Sequence, residues 1–483
     1  MRSLFRLLKR VVIALAIVAI IIILVRAVDS RKLPELRVWH TVELDSEYRA
    51  RRDGDIDGFA AYLAQEQRLF DELNEKIYSD LPAEEQAAPS RYSQVSPFNA
   101  RNHAKNWNRT VELVPEAPIG GVLMLHGLTD SPYSMRSMAE LLHARGFYVL
   151  VLRLPGHGTV PGALRHARSE DWQAVIEPAA RHVRSVIDDE QPFLIVGYSN
   201  GGALAVNYAL DAINDNSLPL PDRLVLMSPA IGVAPYAMFA AWHKTLSWLT
   251  YFEKFQWQTV LPEYDPYKYN SFPKSAGHET YALTQQVQEK LSRLGAPQTA
   301  RRYPPVLAFV SLVDATVTTA DTMKHLFQRL NRPEDELVLY DINRFSRIER
   351  FLKSKHQELL QSVWDDSKRA FGLTLVTNRT PASGTVVART SLNGQVAERL
   401  LEGEWPPMVY SLSHVAIPFP PDDLWYGDGS TNRGEEVSLG TLTPRGEKQV
   451  LIVPADLLLR MRYNPFFRYQ ASRVNEIVTE VLR

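Results

Sequence analysis

Gly197-Tyr198-Ser199-Asn200-Gly201 lies between an apolar run, Pro192-Phe193-Leu194-Ile195-Val196, and a helix-like run that starts at Gly202-Ala203-Leu204-Ala205-Val206. A serine with glycine two residues away on each side, between a strand and a helix, reads as a nucleophile elbow. The turn is so sharp that the residues two away must lack side chains that would strike the strand or the helix. The hydroxyl is then exposed near a helix N-terminus, where backbone N–H groups point outward and negative charge is favoured.

The surrounding sequence supplies the frame that such a turn needs. From residue 119 onward, apolar strand patterns alternate with helical ones: strand 119–125, helix 135–145 closed by Gly146, strand 147–152, helix 171–187, the elbow, and strand 223–227. Residues 304–313, 319–330 and 336–340 resume the alternation as strand, helix and strand. Apolar strands alternating with helices predict an α/β fold with a mostly parallel central sheet covered on both faces. Residues 230–300 break the rhythm. They hold Phe239, Trp242, Trp248, Tyr251, Phe252, Phe255 and Trp257, and read as a helical cap inserted between two sheet strands. Two short β-like runs follow at 373–376 and 384–388, then another at 408–415.

The 483 residues can bury a large core, and a net charge of −1 gives no basis for bulk attraction to nucleic acid. With no cysteine, disulfides, thiolate metal sites and cysteine nucleophiles are excluded. Residues 11–25 form an uncharged apolar run preceded by Arg2, Arg6, Lys9 and Arg10. Extended through snorkelling arginines to residue 28, it approaches bilayer-spanning length, and no small-residue cleavage site follows it. The expectation is a single-pass signal anchor with the N-terminus in the cytoplasm and the bulk of the chain outside, in the periplasm if the source is bacterial. Within the polar stretch 30–115, Ile56, Leu63, Phe70 and Ile77 recur every seventh residue, with Phe59 and Leu73 on the same face and Glu66 on the seam. This predicts a helix laid against the main domain rather than a coiled coil. The expected organisation is an anchor at 1–30, an extension at 31–115, core at 116–230, a cap at 231–300, core at 301–344, an insertion at 345–405 and a histidine-bearing segment at 406–483.

A serine hydroxyl needs a base to take its proton, and the base needs an orienting carboxylate. His325, His356 and His414 follow a suitable acid. His414 ends a strand-like run and opens a loop, the place where such folds carry reacting groups, with His356 the competitor. For the acid, Asp314 directly follows the strand 306–313, and Asp341 after 336–340 is its rival. The oxyanion hole calls for two backbone donors: the N–H of Asn200, after the nucleophile, and that of Leu128, in the loop after strand 119–125. His126 and His157 read as structural rings.

His126-Gly127-Leu128-Thr129, Leu154-Pro155-Gly156-His157-Gly158, Asp171-Trp172, the elbow and Asp314 together resemble the α/β-hydrolase superfamily, and within it the monoacylglycerol lipase, carboxylesterase and serine aminopeptidase S33 group. The similarity runs from about residue 119 to 330. It implies Ser199 as nucleophile, Asp314 as acid, Leu128 and Asn200 as oxyanion donors, and no cofactor or metal. The chain departs from the family after Asp314: the stretch Asp341-Ile342-Asn343-Arg344-Phe345, after the next strand, contains no histidine, and His414 stands 100 residues beyond Asp314. The expected function is hydrolysis of small-molecule or lipid carboxylic esters at a membrane. A peptidase using Glu263, Asp265 and Glu279 to hold a substrate amine is the first alternative, and a silent binding module on a hydrolase fold is the second.

Overall fold

The described residues build one large sheet of ten strands. The computed structural model describes residues 2–31, 33–233, 250–294, 302–314, 316–346, 354–406, 409–431, 438–440 and 459–483. The strands are β1 (Val111–Leu113), β2 (Gly121–Leu125), β3 (Tyr148–Leu152), β4 (Phe193–Tyr198), β5 (Arg223–Met227), β8 (Val306–Ser311), β9 (Glu336–Tyr340), β10 (Gly372–Asn378), β11 (Thr385–Leu392) and β12 (Gln395–Glu404), and they lie in the order β1-β3-β2-β4-β5-β8-β9-β10-β11-β12. From β3 to β10 every neighbouring pair is parallel, with β1 antiparallel at one edge and the β11–β12 hairpin at the other. Parallel strands put all their carboxyl ends on one edge, and helical crossovers must cover both faces.

The alternation of side chains along each strand divides the core. Leu123, Leu125, Leu150, Leu152, Ile195, Leu224, Ala308 and Leu337 face one cluster. Val122, Met124, Val149, Val151, Val196, Val225, Phe309 and Val338 face the other. The first face is covered by the helices Ile176–Val186, Asn200–Ala212 and Lys274–Arg293; the second by Arg136–Ala144 and the C-terminal helix Phe467–Val481. Pro178 does not break its helix. The break falls at Val175, between Ser169–Ala174 and Ile176–Val186, and Pro178 sits in the first turn of the second helix, where a missing N–H costs nothing.

The extension packs on the sheet through the helix Gly58–Leu73, which buries Phe59, Tyr62, Leu69, Phe70 and Leu73. Glu66, the charge on its seam, is buried because it meets Arg153, just after β3. The Arg153 Nε donates to Glu66 at 3.0 Å, its Nη groups reach both carboxylate oxygens of Glu47 at 3.0 and 3.1 Å, and Glu66 also accepts from the Thr110 N–H and hydroxyl. A buried ionic cluster is tolerated only when its lone pairs and protons are answered in this way.

Four segments bear on the sequence expectations. Of the cap, residues 234–249 with Phe239, Trp242 and Trp248 lie outside the described residues. Residues 295–300 lie outside them as well, and the described part of the cap includes a small hairpin, β6 (Trp257–Thr259) with β7 (Phe272–Pro273), and the helix Lys274–Arg293. The stretch 345–405, expected as an insertion, carries β10, β11 and β12 into the main sheet, β10 parallel to β9. The run at 408–415 forms β13 (Val409–Leu412), which pairs with β14 (Leu459–Met461) in a separate two-stranded sheet. At the N-terminus a helix spans Arg2–Arg31. Among the described residues no helix is long and apolar enough to cross a membrane, and the side chains of residues 22–24 and 26–31 lie outside that set.

Candidate active site

The elbow is built from β4 and the helix Asn200–Ala212, and the residue between them is Ser199 with φ +51° and ψ −114°. Left-handed backbone at a non-glycine residue is strained and persists only where the surroundings hold it. Here they do. The Ser199 N–H donates to the Met227 carbonyl at 2.9 Å, and the Ser199 carbonyl accepts from Gly202, Ala203 and Ala230. The flanking glycines are sterically required. A Cβ on Gly197 would lie 2.6 Å from the Gly201 carbonyl oxygen, and one on Gly201 would strike that of Leu125. The second contact also shows how closely the end of β2 approaches the elbow.

Register completes the placement. Leu125 of β2 aligns with Gly197 of β4, so the loops leaving both strands emerge together. In the first loop His126 is buried. Its Nε2 accepts the Leu154 N–H at 3.1 Å, which assigns the proton to Nδ1 and makes the 2.9 Å contact with the Gly127 carbonyl a donated bond. Burial, aided by His157, holds this imidazole well below its usual range and neutral. His157, with its Nδ1 on the Pro155 carbonyl, is pushed down to about 3 by burial. Both rings pin loops, as expected. Trp172 adds a third pin, its indole N–H donating to the Pro155 carbonyl at 3.0 Å. Leu128 itself is half-buried, as are Ser199 and His414, whereas Asp314 and Asn200 are buried. Asn200 opens the elbow helix, so its N–H belongs to the unpaired first turn.

Two aspartates leave adjacent strands, and the structure gives them different partners. Asp314, after β8, accepts the N–H groups of Thr316 and Val317 at 3.0 Å each and lies 3.8 Å from Nδ1 of His414. Asp341, after β9, is met by the Arg344 guanidinium at 2.6 Å and the Thr377 hydroxyl at 2.6 Å. A carboxylate saturated by an arginine has no capacity left to orient an imidazole. Of the histidines, His325 pairs with Asp321 at 3.6 Å on its own helix, and His356 is buried on the helix Ser354–Trp364.

His414 reaches this place by side-chain docking. The Ser311 hydroxyl, at the end of β8, donates to the Leu412 carbonyl at 2.8 Å. Asn343, after β9, donates its backbone N–H to Tyr410 at 2.6 Å and its side-chain amide to Val409 at 2.8 Å. Ser413 caps the short turn His414–Ala416. Beyond it, Asp423 accepts from the Tyr133 hydroxyl and Arg136, tying this segment to the loop after β2. None of these partners carries a motif, so sequence reading missed them. The residue after the quoted His-Gly-Leu-Thr stretch, Asp130, was also passed over, and it is buried with an ion pair to Lys268.

The cap carboxylates proposed for a substrate amine are committed elsewhere. Glu263 is buried and accepts the N–H groups of Asn270 and Ser271; burial pushes it up to about 7. Asp265 accepts from the Tyr426 hydroxyl, Arg462 and the N–H groups of Tyr267 and Lys268. Glu279 accepts the Ser169 N–H at 3.3 Å. Among the described residues no group of three or more histidines and carboxylates is placed to hold a metal ion.

Residues 122–356 match the family model described as "Alpha/beta hydrolase family". The chain is 27% identical over 218 residues to a thermostable monoacylglycerol lipase of Bacillus sp. (strain H-257), covering 45% of this chain and 79% of that protein. It is 25% identical over 118 residues to the phospholipase YtpA of Bacillus subtilis (strain 168), covering 24% of this chain and 43% of that one. A solved structure from work on the metagenome-derived lipolytic enzymes LipS and LipT aligns with 54% of this chain and 98% of its own, at 21% identity and a TM-score of 0.39. Parallel sheet and elbow agree with this match: the fold is that of an alpha/beta hydrolase, and residues 122–356 are similar to that family.

Proposed function

We propose that the chain is a membrane-anchored serine hydrolase that cleaves carboxylic esters of acyl chains by way of an acyl-enzyme. The observation that carries this reading is the approach of His414 to Asp314, at 3.8 Å and from 100 residues away, in a chain that also holds a strained elbow serine at the end of β4. In this scheme Ser199 attacks the ester carbonyl while His414 takes the hydroxyl proton, and Asp314 stabilises the imidazolium that forms. The N–H groups of Leu128 and Asn200 receive the oxyanion, each worth about 3 kcal/mol in reactions of this type. His414 then protonates the leaving alcohol, and water repeats the sequence to free the acid.

The names of the relatives, a monoacylglycerol lipase and a phospholipase, favour lipid esters as substrates. The peptidase alternative loses support because Glu263 and Asp265 are saturated by internal donors. The tether is inferred from the N-terminal helix, whose Val11, Val12, Ile13, Leu15, Ile17, Val18, Ile20 and Ile21 are exposed by half or nearly so. Such a surface is costly in water and stable in lipid. Arg2, Arg6, Lys9 and Arg10 ahead of the run support a cytoplasmic N-terminus and an extracytoplasmic domain.

A fluorophosphonate probe tests the reading on the full chain in detergent. The expected result is a single labelled residue, Ser199, and hydrolysis of p-nitrophenyl esters of graded length. A folded chain that neither labels nor hydrolyses esters would be the silent module, and activity confined to aminoacyl anilides would restore the peptidase.

A further inference from the structure

The loop after β2 carries a charge that the scheme above does not use. Asp130 is buried, and its carboxylate lies over the loop: a Cβ on Gly127 would stand 2.7 Å from Asp130 Oδ2. Leu128, the residue next to Gly127, supplies an oxyanion donor in the proposed reaction. An uncompensated carboxylate here would oppose the negative charge that develops on the substrate, and would do so strongly in a desolvated site. The same loop is bent at Thr129, a β-branched residue with φ +66°.

Both features are answered by one short piece of the cap. Lys268 Nζ donates to Asp130 Oδ1 at 2.9 Å, and the Tyr269 N–H donates to the Thr129 carbonyl at 2.8 Å. The piece is itself fixed. The N–H groups of Tyr267 and Lys268 donate to Asp265 Oδ1 at 3.1 Å each, and Asp265 also accepts from the Tyr426 hydroxyl at 2.5 Å. The Tyr269 hydroxyl accepts the Thr159 N–H at 2.7 Å and reaches the Gly156 carbonyl at 3.2 Å. The cap segment is thereby anchored to the histidine-bearing region on one side and to the loop after β3 on the other.

We propose that Lys268 is a positioning residue for the Ser199 reaction: its ammonium neutralises Asp130 beside the oxyanion donor and, with the Tyr269 N–H, holds the Thr129 turn in shape. This rests on the hydrolase reading given above. The electrostatics agree with the geometry. Burial drives the Asp130 carboxyl up, Lys268 opposes that rise, Asp265 adds to it, and His414 also feels the charge.

Three variants of the full chain test this: Lys268→Met, Lys268→Arg, and Lys268→Met combined with Asp130→Asn. The readouts are kcat and KM on a p-nitrophenyl ester, the rate of Ser199 labelling by fluorophosphonate, and Tm. Lys268→Met is expected to lower kcat and the labelling rate by about tenfold or more with KM nearly unchanged, since an unpaired carboxylate acts on the transition state. Lys268→Arg keeps most of the activity. Removing the charge of Asp130 as well restores kcat to within about threefold of the parent, which loss of packing alone would not do. A double variant no faster than Lys268→Met, or a Lys268→Met chain equal to the parent, overturns the proposal. A parent chain that fails to label at Ser199 overturns the hydrolase reading and the proposal with it, and is distinguishable from an active parent indifferent to Lys268.

Discussion

Residues 193–203 and residues 409–417 each present a candidate reacting side chain at the carboxyl edge of the sheet, and they are held there by different means. The elbow is local and backbone-made: glycines that admit no Cβ, three N–H groups converging on the Ser199 carbonyl, and a register that fixes Gly197 against Leu125. The His414 segment is delivered from afar. It lies outside the main sheet and is pinned by Ser311, Asn343, Asp423 and the aromatic contacts among Tyr133, Phe419 and Tyr426. A backbone-made site is specified by a short motif. A docked site is specified by many unrelated positions, and can be lost without disturbing the nucleophile.

That difference is broken most severely by Asp314→Asn. It removes the charge facing His414 while keeping the shape, and kcat is expected to fall about 10⁴-fold with little change in Tm. The matched change Asp341→Asn weakens the Arg344 pair, so its effect should appear in Tm and leave kcat within about tenfold. Asp423→Ala comes next. It removes the acceptor for Tyr133, Arg136 and two backbone N–H groups, at a cost of about 2–3 kcal/mol by urea unfolding, and kcat should fall while Ser199 remains the labelled residue. Gly201→Ala is the converse, driving a methyl into the Leu125 carbonyl. It should cost about 1–3 kcal/mol and impair labelling itself.

The smallest effect concerns Glu263, a cap residue outside both segments. Its carboxyl is raised to about 7, above the ordinary value of 4.5, so the folded state binds a proton that the unfolded state has released. That contribution to stability is fully present below pH 4.5 and lost as pH rises through about 7, with a slope of up to about 1.4 kcal/mol per pH unit. His40, lowered to about 4 mainly by burial, acts in the opposite sense, since the unfolded chain binds its proton first as pH falls. Glu263→Gln should therefore steepen the gain of stability between pH 5 and 7, and a parallel pair of curves would contradict the assignment.

Legibility followed the same division. The elbow, the alternating strands and the two pinning histidines could be read because their constraints act over a few residues. Asp314 was the expected acid from its place after β8, whereas the Arg344 and Thr377 contacts that engage its rival Asp341 had no signature in the sequence. The stretch expected as an insertion instead extends the sheet through β10–β12, because strands such as Leu373–Val376 are too short to reveal their neighbour from sequence. Glu66 looked like a defect on an apolar seam until Arg153, 87 residues away, supplied its partner. Glu263 and Asp265 looked free for a ligand for the same reason: their partners are backbone N–H groups and, for Asp265, the distant Tyr426 and Arg462, which no composition discloses.

Parallel measurements of kcat for His414→Ala and His356→Ala decide whether the delivered histidine serves the local serine. With His414 as the base, His414→Ala loses about 10⁴-fold or more while His356→Ala stays within about tenfold of the parent. Activity retained in His414→Ala and lost in His356→Ala would contradict the assignment.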